Sequence, residues 1–202
     1  MKKLIMVFTS LTCWPLLAWP QAVYDGYRAY YMAQNSLFTK TTPFHFSGSR
    51  NTVVSWQGKQ VDLARAKAFP GEFTVNDDLG TDVKAYERFP FACVEGQSSS
   101  ASGTAARHMS VYLMEMRPNR QVVVYKLPSL FASCMGVRLD AFRRPLFDNA
   151  DYIYPPNSDL PTGVSLDEYV IDKEKFIPTG HSVRLEFIEP ENVWKFRVES
   201  VK

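Results

Sequence analysis

The chain predicts an α+β fold rich in β-structure: a mainly antiparallel sandwich or partly closed barrel with an N-terminal helix. Three observations carry that expectation. Short runs of alternating apolar and polar residues recur from Phe44 to the end, punctuated by Gly, Pro and Asn. Aromatic side chains that suit a pleated, half-buried surface are plentiful, with 10 Tyr and 14 Phe among 202 residues. Helical periodicity, by contrast, is confined to one stretch near the start.

That stretch runs from Asp25 to Phe38. Asp25 is placed to cap it, and Tyr24, Tyr27, Tyr31 and Phe38 fall along one side, an apolar face to lay on a sheet. Phe44-His45-Phe46 is a short strand. Val53–Trp56 and Gln60–Leu63 read as a hairpin turning at Gln57-Gly58-Lys59. Ala64–Ala68 reads as a helical turn and Phe73–Val75 as a strand. Val83–Val94 holds one strand or two, because Pro90 interrupts the ladder.

Gln97–Ala106 is a low-complexity run of Ser, Ala, Gly and Thr, expected to be loop. The clearest hairpin follows. His108–Met116 turns at Pro118-Asn119-Arg120 and returns as Gln121–Leu127, whose consecutive valines suggest a strand covered on both faces. A strand is expected near Cys134–Leu139. Arg143–Gly163, with Pro145, Pro155, Pro156 and Pro161, reads as a long loop. The chain closes as a meander. Glu168–Asp172 pairs with Lys175–Ile177, and Ser182–Ile188 pairs with Val193–Val201, with one dry and one wet side.

The first 22 residues have the layout of a secretory signal. Lys2-Lys3 precede an uncharged apolar run from Leu4 to Ala18, too short and proline-broken to span a bilayer well, and Ala22 offers a small residue for cleavage. Residues 23–202 then form a single domain, periplasmic or secreted, with no membrane span after cleavage. Losing Lys2 and Lys3 leaves 21 basic against 21 acidic groups. A neutral chain without a basic run gives no footprint for nucleic acid. Arg143-Arg144, the one adjacent basic pair after the signal, reads as solvated surface charge.

Cleavage also removes Cys13, whose neighbours Ser10 and Thr12 suit lipidation poorly. Cys93 and Cys134 remain, an even number bound for an oxidising compartment, and are expected to pair.

Catalytic and cofactor motifs do not appear. His45, His108 and His181 lack metal-ligand spacing. Neither Gly-x-Ser-x-Gly nor Ser-x-x-Lys occurs. No cofactor and no metal site is predicted.

The most site-like stretch lies between Arg143 and Gly163. Asp148, Asp151, Tyr152, Tyr154 and Asn157 would there present oxygen ligands to calcium, or tyrosines to a protein or sugar. The alternative is a connection whose Asp, Asn and Pro serve turn geometry. The expectation is an exported, non-enzymatic binding protein, of an inhibitor or immunity type, acting on another protein in the envelope or outside the cell. A β-barrel carrier of a lipid or other apolar ligand is the second reading. The third is a small envelope hydrolase with dispersed catalytic residues, which a cleft holding His108 or His181 beside a carboxylate would favour.

Overall fold

A computed structural model describes residues 22–74, 79–98, 100–190 and 192–199. The signal reading of residues 1–21 therefore lies outside the described residues, as does Val75. The fold is β-rich with one helix, as the residue pattern predicts.

Three sheets make it up. The first has six strands, in the order β1 (Val23–Asp25), β14 (Lys195–Val198), β13 (Lys175–Phe187), β12 (Gly163–Asp172), β11 (Pro145–Ile153) and β10 (Arg138–Leu139). The second has five: β5 (Lys67–Ala68), β9 (Val122–Lys126), β8 (Ser110–Met116), β7 (Phe91–Gly96) and β6 (Lys84–Arg88). The third is β2 (His45–Ser47), β3 (Val53–Trp56) and β4 (Lys59–Asp62). All pairings are antiparallel except β5 with β9.

The five-stranded sheet is the middle layer. Its residues alternate between two cores: Phe91, Cys93, Val111, Leu113, Val123 and Tyr125 enter one, while Ala92, Val94, Tyr112, Met114 and Val124 enter the other. The larger core lies against the six-stranded sheet and the helix α1 (Tyr27–Ala33). The smaller is closed by Val54, Trp56, Val61 and Leu63 of the three-stranded sheet and the turn after it. Period-2 geometry converts the valine run of β9 into burial on both sides.

Both expected hairpins form. Gln57 and Gly58 adopt positive φ (50° and 73°), the requirement of a tight two-residue turn between β3 and β4. Val83–Val94 resolves into two strands that part at the cis peptide Phe89–Pro90. Leu185, Phe187 and Phe196 line the dry side of the closing meander, and Glu186 and Arg197 form an ion pair on the wet one.

Several expectations are corrected. The helix is shorter, because Gly26 (φ 92°) starts it and Asn35 (φ 57°) follows its end. Asp25 caps nothing; it pairs with Lys195 in β1, a strand the residue pattern concealed. Phe73 and Thr74 are irregular. Cys134 lies in a 3₁₀ turn (Cys134–Gly136) rather than a strand, since Ser133 caps the Met135 amide at 3.1 Å and curls the chain before β10. The largest correction is β11. Eight residues of the expected loop, Leu146–Ile153, pair in continuous register with β12. Pro145 begins the strand and Pro155-Pro156 follow it, so the prolines flank the ladder instead of breaking it.

Candidate functional site

Cys93 and Cys134 are joined by a disulfide, with Cα atoms 5.7 Å apart. The same turn is gripped a second time. Buried Glu95, on β7 beside Cys93, accepts hydrogen bonds from the Cys134 amide (2.7 Å), the Ser133 hydroxyl (2.8 Å) and the Tyr86 hydroxyl (2.8 Å). All three donors are thereby satisfied inside the core, where leaving one unmade costs about 1–3 kcal/mol.

The five residues singled out between Arg143 and Gly163 do not converge. Asp148 points inward from β11 and accepts both arms of the Arg138 guanidinium, at 2.8 and 2.7 Å; Glu168 takes a further bond from Arg138 at 3.0 Å. Those carboxylates raise the Arg138 pKa despite the opposing effect of burial. Asp151, three positions along the strand and so on its other face, is exposed and accepts from Asn149. Tyr152 is half-buried edge-on against Phe131, and its hydroxyl accepts from Arg107 at 2.7 Å. Tyr154 is 54% exposed, and Asn157 sits in an exposed turn at φ 63°. Among the described residues no group of three or more His, Cys, Asp or Glu side chains is placed to hold a metal ion.

The hairpin turns do converge. The β3–β4 turn (Gln57, Gly58, Lys59), the β6–β7 turn (Phe89, Pro90) and the β8–β9 turn (Pro118, Arg120) line one open groove of about 970 Å³, joined by Arg143. Met116, Pro90 and Pro118 supply apolar surface, and Phe89 stands 65% exposed at its side. Lys59, Arg120 and Arg143 are exposed and form no ion pair among the described residues. The groove's one carboxylate, Glu115, is paired with Arg117 at 3.3 Å and accepts from the Tyr125 hydroxyl. Burial pushes the Glu115 carboxyl upward, against the pull of Arg117 and of that bond. The groove therefore combines an aromatic anchor, an apolar floor and unpaired positive charge.

In the residue pattern Gln57-Gly58-Lys59 and Pro118-Asn119-Arg120 are turns, Pro90 is a break in a strand, and Arg143 is surface charge. The signal that would have found them is registration. Two hairpin tips and the Pro90 break fall at the same end of consecutive strands, each with a cation or aromatic ring at its tip.

The groove and the cleft beside His108 both open to solvent. His108 does line a cleft, where its Nδ1 lies 2.9 Å from the Ser129 hydroxyl. That hydroxyl donates to Glu72 Oε1 at 2.9 Å, as does the Ser129 amide. The serine thus stands between imidazole and carboxylate. Glu72 ties down the Ser129 turn. His45 and His181 lie apart and exposed, on other strands. No helix among the described residues is long and apolar enough to cross a membrane. No protein-family model, curated protein or solved structure matches this chain.

Proposed function

We propose that this is an exported, non-enzymatic binding protein, of an inhibitor or immunity type, which docks an acidic segment of a partner protein in the hairpin-tip groove. One observation carries the reading: Lys59, Arg120 and Arg143 stand unpaired around an apolar floor beside the exposed ring of Phe89. Aromatic and arginine side chains dominate binding energy at protein interfaces, and a complementary acidic surface would be steered toward three unpaired cations. The disulfide and the signal-like first residues support export, to the periplasm or beyond the cell.

The test compares the exported wild-type protein, a Phe89→Ala/Arg120→Glu variant and a Tyr154→Ala variant as baits in the native culture, read by cross-linking and mass spectrometry. The expected result is a partner captured by wild type and by Tyr154→Ala and lost by the groove variant, cross-linked through an Asp/Glu-rich segment. Equal capture by the groove variant, or no partner at all, would reject the proposal. Intact mass of the exported chain checks cleavage near Ala22; a species retaining Met1 would reject the signal.

A further inference from the structure

At the far end of the same strands from the groove lies a second, polar cleft of about 450 Å³. β8 separates the two openings by roughly 20 Å at 3.4 Å per residue. The cleft is lined by Glu72, Gln97, Ser110, Tyr112, Lys126 and Ser129, among others.

Lys126 is its unusual member. It is the last residue of β9, directly across from Tyr112 on β8, and only 4% of it is exposed. Its ammonium lies 4.9 Å from the centre of the Tyr112 ring. No described residue accepts a hydrogen bond from it or pairs with it. Lysine donates only, so the ammonium at this open cleft offers its hydrogen bonds to whatever enters.

Glu72 lines the same cleft from the opposite charge. Its Oε1 is occupied by the Ser129 amide and hydroxyl, while no described residue donates to Oε2. The carboxylate acts on Lys126 through space, holding its pKa up against burial, yet the two form no ion pair. The cleft thus holds a cation at the end of β9 and a carboxylate anchored through Oε1 to Ser129, with no described residue bonded to the ammonium or to Oε2.

That arrangement selects the ligand by its charges. A simple anion would satisfy Lys126 but leave Glu72 facing like charge, and a simple amine would do the reverse. A molecule carrying both a carboxylate and an ammonium meets each group and brings no net charge into the site. The volume lies toward the small end of ligand pockets. We propose that this cleft binds a small zwitterion, an amino acid or short peptide, with its carboxylate on Lys126 and its ammonium on Glu72.

Titration calorimetry on the mature protein tests this directly. The probes are glycine, β-alanine, γ-aminobutyrate and alanylalanine, which set the two charges progressively further apart, with acetate and methylamine as single-charge controls. At least one zwitterion is expected to bind with Kd below about 1 mM, at least tenfold tighter than either control. The preferred length reports whether the source is a free amino acid or a peptide. Lys126→Met and Glu72→Gln should each weaken binding tenfold or more. Glu72→Gln keeps a carbonyl acceptor for Ser129, so the local fold is preserved. Phe89→Ala/Arg120→Glu should bind the zwitterion like wild type, which separates this site from the groove. The proposal is overturned if no zwitterion binds below that limit, if acetate binds as tightly, or if binding survives both cleft substitutions.

Discussion

Replacing Lys126 with methionine should stabilise the protein at neutral pH and make no such difference in alkali. Burial pulls the Lys126 pKa down from 10.5 to about 8, and Glu72 opposes the fall only in part. The folded state therefore releases this proton more readily than the unfolded chain does. Between about pH 8 and 10.5 the unfolded state binds more protons, so wild-type stability rises with pH across that window. Below pH 8 the lysine is charged in both states and the folded protein bears the full cost. The fall from 10.5 to about 8 corresponds to roughly 3 kcal/mol. Methionine has a similar length and no charge to desolvate.

The Lys126→Met variant should thus melt roughly 6–12 °C above wild type at pH 7, since a domain of this size shifts about 2–4 °C per kcal/mol. The gap should close by pH 10.5. Glu72, His108 and Tyr112, which line the same cleft, are present in both proteins. Urea or thermal unfolding by circular dichroism at pH 7, 8, 9, 10 and 10.5 measures it. An offset that stays constant across the series, or a variant less stable at pH 7, would show that the ammonium is well solvated and would refute the reasoning.

Other substitutions test separate parts of the structure. Arg138→Leu strands the Asp148 and Glu168 carboxylates and should cost about 3–5 kcal/mol in urea unfolding, with part of the loss recovered in Arg138→Leu/Asp148→Leu. Removing the disulfide with Cys93→Ala/Cys134→Ala should cost about 4 kcal/mol for a loop of this length; in the native protein, alkylation under denaturing, unreduced conditions should label neither cysteine. Tyr154→Ala should leave stability within about 0.5 kcal/mol, whereas Tyr152→Ala, which loses the Phe131 contact and the Arg107 bond, should cost roughly 1–3 kcal/mol; equal melting curves would contradict the placement of Tyr152.

What could be read from residue order was whatever is decided locally. Gln57-Gly58 specifies its hairpin by backbone freedom, Pro90 divides β6 from β7, and the alternation after Ser182 sorts its two faces without reference to distant chain. β1 was hidden because its three residues become a strand only by pairing with β14, at the other end of the chain. β11 was hidden for a different reason. Its inward side chains include Asp148, so alternation of hydrophobicity fails where an ion pair with Arg138 replaces apolar packing. The cleft was equally illegible. Lys126 reads as a charged strand end, and the Glu72 and Gln97 that share its cleft come from distant parts of the chain. Parity held the one clue: Lys126 shares its strand face with Val122 and Val124, the inward face of the smaller core.

The middle sheet explains why both openings lie where they do. A strand covered on both faces has no side chain free for a ligand along its middle, since the apolar residues of β7, β8 and β9 are committed to one core or the other. Only strand ends and the turns that join them are available. At one end the tips of β3–β4, β6–β7 and β8–β9 leave their cations and Phe89 outward, which suits a large partner arriving from solvent. At the other end the smaller core simply runs out of apolar residues. Tyr112 is its last aromatic ring, and the next inward positions on β8 and β9 are Ser110 and Lys126. The hydrophobic layer thus carries a lysine to the floor of a cleft where water is partly excluded. A partner bound in the groove and a small ligand in the cleft would press on opposite ends of the same three strands.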